Sequence, residues 1–299
     1  MEDFISTTVN VTANRGNSLI NRKMILRILG VLLFMEAMMF LVCAGVSLCY
    51  GEKDYIYFIY TTLINVVVGS LLLLLGKGAE NRVTRRDGYC IVAFTWLLFT
   101  GFGMLPFYIS GGIPSVTDAF FETMSGFTTT GATILDDIES LSHGMLFWRS
   151  FSQWIGGLGI VFFTIAVLPI FGVGNQVLFS AEATGVTHDK IHPKISIMAK
   201  WLWTVYLILT VVETLLLLVG GMDLFDAVCH AFSTTATGGY STKQDSVAYW
   251  NSPFIEYVIA IFMTLSGVNF SLYFMCMTGR VKHLFKDEEF RLYLISIGA

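Results

Sequence analysis

The chain has 299 residues, of which 55% are hydrophobic and only 13% charged, and its formal net charge is −4. Its mean hydropathy is +0.68. This composition excludes an ordinary soluble domain, and a negative net charge without a basic-aromatic patch argues against nucleic-acid binding.

A helix that crosses a bilayer needs roughly 20 apolar residues. Six runs meet that requirement: Ile28–Tyr50, Tyr55–Leu75, Tyr89–Ile109, Trp148–Ile170, Ile195–Val219 and Pro253–Thr278. The first is longer than a signal-peptide core and lacks a small-x-small cleavage site. In chain order, residues 1–23 read as a polar cytoplasmic segment. Residues 24–76 read as a transmembrane hairpin closed by Gly51-Glu52-Lys53-Asp54, and 77–88 as a basic linker. Residues 89–171 and 195–278 read as two copies of one unit. Residues 279–299 read as a cytoplasmic turn followed by the start of a further helix, Leu292–Ala299, too short to span. On that reading the chain is a fragment of a longer protein.

The repeat is explicit in two segments 108 residues apart, SVTDAFFETMSGFTTTGAT from Ser115 and DLFDAVCHAFSTTATGGYST from Asp223. Gly112 and Gly159 match Gly220 and Gly267 at the same offset, whereas pairing Gly131 with Gly238 gives 107 and requires a one-residue slip. Each copy opens with candidate helix caps (Ser115 and Asp118; Asp223 and Asp226) and ends in a threonine–glycine run. This is the plan of a pore loop. A helix over Ser115–Phe127 rises about 18 Å, roughly half the hydrocarbon thickness. Its C-terminal carbonyls favour a cation near mid-membrane. Irregular backbone survives there only if it lines water or is buried in protein. Glycine permits the dihedrals that turn carbonyls toward an ion, and such carbonyls replace its hydration shell. Thr128, Thr129, Thr130, Gly131 and Ala132, with Thr235, Ala236, Thr237, Gly238 and Gly239, are the expected cation-binding residues. Gln153, Gly157, Gly267 and Asn269, in the helices that follow, are candidate pore-lining positions, with close packing as the competing reading for the glycines.

Fifteen of the 18 lysines and arginines fall on one set of alternating loops, and Lys53, Arg149 and Lys243 fall on the other. The positive-inside rule then puts the N-terminus in the cytoplasm and both threonine–glycine loops outside. The outer side is acidic, which concentrates cations. Glu36 and Glu213 lie in apolar runs, where interhelical hydrogen bonding is favoured over a place on the ion path. Arg149 is read either as a brace to Glu122 or Asp118, or as a lipid-headgroup contact. His230 reads as a packed helix residue. His188 and His192 have metal-compatible spacing, but Pro193 and their loop setting argue against a site. The five cysteines are odd in number and follow no metal pattern, so no transition-metal site is expected and they say nothing about redox chemistry. The absence of His-Glu-x-x-His, Gly-x-Ser-x-Gly and a facing aspartate pair argues against an intramembrane enzyme.

SGFTTTGAT, WRSFSQWIGGLGI, AFSTTATGGYST and LSGVNF resemble the Trk/Ktr/HKT superfamily of potassium transport proteins, most nearly the bacterial Trk-type membrane subunit. The resemblance covers about residues 24–299. It implies an all-α polytopic membrane protein in which helix–pore-loop–helix repeats follow a two-helix hairpin. Four such repeats surround one pore in the family, with one filter glycine each, here Gly131 and Gly238. It implies K+ as the transported ion, no cofactor in this chain, and a place in the bacterial inner membrane in contact with lipid. It also implies a homodimer and a separate cytoplasmic nucleotide-binding regulatory subunit. The third and fourth filters are missing here, as are the gate of the third repeat and the positive residue of the last. A non-conducting fragment or assembly partner therefore stands as one alternative, and a sodium-permeable or cation-coupled relative as another. Glycine in both filters favours potassium, because serine in the first loop marks the sodium-permeable relatives.

Overall fold

The computed structural model describes residues 20–79, 85–159, 195–269, 272–273 and 287–298. Residues 1–19, the His188/His192 pair, the distal part of Trp148–Ile170 and the basic stretch from Arg280 to Lys286 lie outside the described residues. Every regular element among the described residues is helical: α1 Arg22–Cys49, α2 Tyr55–Leu75, α3 Arg85–Gly103, α4 Leu105–Ser110, α5 Val116–Phe127, α6 His143–Gly157, α7 Ile195–Val219, α8 Leu224–Thr235, α9 Pro253–Ser266 and α10 Glu288–Gly298, with a 3-10 turn at Ser246–Trp250.

Helices α1 and α2 form the expected hairpin. Their backbones approach closely because glycines face each other: a Cβ on Gly30 would lie 2.9 Å from the Gly69 carbonyl oxygen, and one on Gly76 would lie 2.8 Å from that of Lys23. Small residues allow such contact between apolar helices. The seam also holds the first intramembrane carboxylate. Asn65 Nδ2 donates to Glu36 Oε2 at 3.0 Å, as interhelical bonding predicts. The hairpin loop then reaches the first repeat. Glu52 accepts from the backbone N–H of His143 at 3.0 Å and of Gly144 at 3.4 Å, at the start of α6. A carboxylate suits that position, because the first N–H groups of a helix have no partner within it. Tyr50 stacks on the His143 ring at 4.0 Å. Beneath this junction Phe40, Phe58, Phe99, Phe127 and Trp148 share one buried core, and Trp148 Nε1 donates to the Gly103 carbonyl at 2.8 Å.

The spans differ from the sequence expectation in three places. Tyr89–Ile109 is not one straight helix. It breaks at Met104, and Pro106, within the first turn of α4, gives the reason, since it cannot donate to the preceding turn. Trp148–Ile170 starts earlier, at His143, and its helix stops at Gly157, with Gly159 at φ 73°. Pro253–Thr278 stops as a helix at Ser266, capped by Gly267. The helices end at Gly157 and Ser266, 109 residues apart and so within one residue of the repeat offset, and the interruption recurs at nearly the same place in both copies. Four helical stretches among the described residues are long and apolar enough to cross a membrane: Arg22–Cys49, Tyr55–Leu75, Arg86–Ser110 and Trp201–Val219.

Candidate functional site: the paired threonine–glycine loops

Helix α5 begins where Ser115, in extended backbone, accepts from the Asp118 N–H at 3.3 Å, and α8 begins where Asp223 accepts from the Phe225 N–H at 3.2 Å. Asp118 and Asp226 are not the caps. They sit one turn in, where a negative side chain complements the helix dipole. Asp226 also ties its helix to the segment beyond the loop. Its Oδ1 accepts from Thr242 Oγ1 at 2.6 Å, and Lys243 Nζ lies 3.9 Å from its Oδ2. Partial burial raises its carboxyl pKa from the ordinary value, and the Thr242 hydrogen bond opposes that rise.

Both helices end in the same way. Thr129 N–H donates to the Gly126 carbonyl and Thr130 N–H to that of Ser125, each at 3.0 Å. In the second copy Thr237 N–H donates to Thr234 and Gly238 N–H to Ser233, each at 2.9 Å. This is the Schellman arrangement, which needs a left-handed residue just past the helix and normally takes glycine there. Here threonine fills the position in both copies, with φ 52° at Thr129 and φ 54° at Thr237. A β-branched residue in that region stores strain of order 1–2 kcal/mol, a cost that concentrates at functional sites.

The next left-handed residues are Gly131, at φ 75°, and Gly239, at φ 86°. The backbone therefore keeps the offset of 108 through the loops and contains no slip. Gly131 corresponds to Gly239, and Gly238 corresponds to Thr130. Pairing by the first glycine of each string misled because Thr-Gly-Gly offers two candidates and only dihedral angles distinguish them. The loops also touch: a Cβ on Gly131 would collide with the Gly238 carbonyl.

A polar cluster stands behind the loops. Arg149, on α6, is 2% exposed and Glu122, on α5, is 1% exposed, so this is a buried pair. Arg149 Nε donates to Glu122 Oε1 at 2.9 Å, Nη1 to the Ser241 carbonyl at 3.1 Å and Nη2 to Thr133 Oγ1 at 3.3 Å. Its guanidinium carbon lies 4.1 Å from the centre of the Tyr240 ring. Glu122 also accepts from Thr133 Oγ1 and from the Ile134 N–H, each at 3.0 Å. Of the two readings of Arg149, the brace is the one observed. Tyr240, which sequence reasoning missed, reaches the Glu122 carbonyl at 2.8 Å and the Ala132 carbonyl at 3.3 Å with its hydroxyl.

In the second copy His230 takes the place of Glu122, 108 residues on. Its Nδ1 meets the Asp226 carbonyl at 2.8 Å and its Nε2 meets Ser241 Oγ at 3.0 Å. Ser241 is in turn the counterpart of Thr133. One architectural contact, pore helix to the extended segment beyond the loop, is thus made by a carboxylate in one copy and an imidazole in the other. The internal offset of 108 held the signal that would have found it.

The expected pore-lining residues divide. Gln153 is fully buried: its Oε1 accepts from the Tyr240 N–H at 3.1 Å, and its amide packs on Gly238. It supports the loop from behind and does not line water. Gly157 gives close packing, since a Cβ there would lie 2.7 Å from Ala236, and the neighbouring Gly156 seats the Phe127 carbonyl. A Cβ on Gly267 would meet the Tyr293 hydroxyl. Asn269 lies exposed beyond α9. Glu213, on α7, accepts from Thr235 Oγ1 at 3.3 Å and so joins the second loop to the helix before it.

The chain is similar to proteins of known role. Residues 56–295 match the family model described as TrkH, cation transport protein. The Trk system potassium uptake protein TrkH of Escherichia coli K12 is 40% identical over 273 residues, covering 90% of this chain and 56% of the relative. TrkG of the same organism is 35% identical, covering 89% and 56%. The crystal structure of the potassium transporter TrkH from Vibrio parahaemolyticus superposes with a TM-score of 0.78 at 35% identity, covering 91% of this chain and 56% of that one. The chain therefore spans a little over half the length of these relatives. A family match over most of the chain and a fold match at substantial identity agree: the chain belongs to the TrkH family of cation transport proteins.

Proposed function

We propose that this chain contributes two adjacent filter segments to a potassium uptake pore in the bacterial inner membrane. The observation that carries the reading is the doubled loop: two half-membrane helices end in the same left-handed threonine, followed two residues later by a left-handed glycine. Backbone carbonyls of Thr128–Ala132 and Thr235–Gly239 coordinate the dehydrated ion, as carbonyl rings do in potassium filters. The buried Arg149–Glu122 cluster and Gln153 hold those carbonyls in place, and the dipoles of α5 and α8 present partial negative charge to the ion. Further segments of the same kind complete the ring. The N-terminus lies in the cytoplasm and the loops face outward, on the lysine and arginine distribution. Assembly is as a homodimer, with a cytoplasmic nucleotide-binding regulatory subunit on the basic side.

The test is rubidium and sodium flux into liposomes holding the purified chain, alone and as part of a chain extended to the length of the relatives. Potassium-like, rubidium-selective flux is expected where the ring is complete. Gly131→Ala should abolish it, because the added methyl meets the Gly238 carbonyl. Selective flux surviving Gly131→Ala at an unchanged rate would overturn the assignment.

A further inference from the structure

A groove of about 1010 Å³ runs along the outer face of the α1–α2 hairpin, away from both loops. Its walls are one stripe of each helix, Val31, Phe34 and Met38 from α1 and Val66, Ser70 and Leu73 from α2. From Arg27 to Leu41 it extends about 21 Å, longer than one leaflet's share of a ~30 Å hydrocarbon core. Its interior asks for no polar partner. Ser70 Oγ donates to its own helix at Val66, and Thr62, toward the far end, does the same at Phe58. The groove is polar at one end only, where Arg27 and Lys77 line it together with the Gly76–Gly78 turn. Among the described residues, neither cation makes an ion pair.

We propose that this groove binds one anionic phospholipid, with an acyl chain laid along the seam and the phosphate held by Arg27 and Lys77. The occupant follows from the charge pattern. An apolar slot somewhat longer than a leaflet is deep, closed at one end by two cations, complements a molecule with one anionic end and a long apolar body. A second copy of the hairpin would bring like charges to the same place. With the orientation proposed above, the bound lipid belongs to the cytoplasmic leaflet, but binding itself depends on neither that orientation nor ion conduction. The close glycine contacts at Gly30, Gly69 and Gly76 make the floor of the groove rigid, so the lipid meets a preformed surface.

The experiment is native mass spectrometry of the whole purified chain titrated with phosphatidylglycerol, and separately with phosphatidylcholine, in detergent. One tightly held phosphatidylglycerol per chain is expected, with phosphatidylcholine held less firmly. Arg27→Gln with Lys77→Gln should weaken phosphatidylglycerol retention about 30-fold, roughly fivefold per charge, and leave phosphatidylcholine retention unchanged. Ser70→Phe, which fills the slot and keeps both charges, should weaken both lipids. Lys53→Gln, at the other end of the hairpin, should change neither. Equal retention of the two lipids by the parent chain would overturn the proposal, as would a loss in Lys53→Gln matching that of the double variant. A chain dimer that forms in place of lipid binding and is lost in Ser70→Phe would also overturn it, by giving the groove to a second copy. If the double variant is not recovered folded, Ser70→Phe and the two-lipid comparison still decide. Potassium flux is measured in parallel, so a failed lipid site is distinct from a failed transport assignment.

Discussion

At the scale of single residues, the site depends on groups held where they are costly. Arg149 and Glu122 form a buried, hydrogen-bonded pair, and breaking such a pair leaves one charge unpaired at about 3–5 kcal/mol. Arg149→Ala or Glu122→Ala should therefore lower thermal stability in detergent sharply and abolish flux. Arg149→Lys should fail to rescue either, because one ammonium cannot reach Glu122, Ser241 and Thr133 from a single fork. A melting temperature for Arg149→Lys within the error of the parent would contradict this account. The left-handed threonine makes the opposite kind of prediction. Thr129→Gly relieves strain and should raise stability by about 1 kcal/mol while reducing rubidium-over-sodium selectivity. A stability gain with selectivity intact would remove the strain from any functional role. The caps Ser115 and Asp223 were legible in the sequence because capping is local. Tyr240 and the role of Gln153 were not, since their partners lie 118 and 87 residues away, and no local pattern encodes such contacts.

At the scale of elements, helix existence was legible and helix continuity was not. Hydropathy marks a run as apolar, but a left-handed Gly159 or a helix-breaking Pro106 interrupts the backbone without changing hydropathy. The α1–α2 hairpin followed directly from apolar length and its tight loop. Its intramembrane polar pair offers an element-level test. Asn65→Leu leaves Glu36 without its amide donor and should destabilise the hairpin by about 1–3 kcal/mol, whereas Asn65→Leu combined with Glu36→Leu should cost less than the single change. Denaturant titration of the three chains measures both values. A double variant weaker than Asn65→Leu would show that Glu36 makes a contribution beyond this bond. The repeat register was legible only in part. The offset of 108 holds through the helix caps and both loops, and the apparent slip at the glycines came from reading letters where dihedral angles decide.

At the scale of the whole molecule, charge asymmetry across the loops predicts sidedness. In a variant lacking Cys49, which ends α1 beside the hairpin loop and is the exposed cysteine among the described residues, Glu139→Cys should react with a membrane-impermeant maleimide on intact cells, and Lys77→Cys should react only after permeabilisation. The reverse pattern would invert the topology. The arrangement of the two repeats was largely legible as a duplication, but the way they meet was not. Arg149 belongs to the first repeat and grips Ser241 and Tyr240 of the second. The position 108 residues on is Tyr257, which is 71% exposed, so no equivalent arm extends from the second repeat through that site. The contact is therefore heterologous: the surface the first repeat presents, centred on Arg149, differs from the surface the second presents, centred on Tyr240 and Ser241. Units joined head to tail in this way propagate in a single rotational direction, and they close into a ring when the rotation per unit divides a full turn. A pore assembled on that rule has a handed order of segments around its axis, and exchanging the two repeats along the chain would leave Arg149's arm pointing out of the ring instead of across its joint.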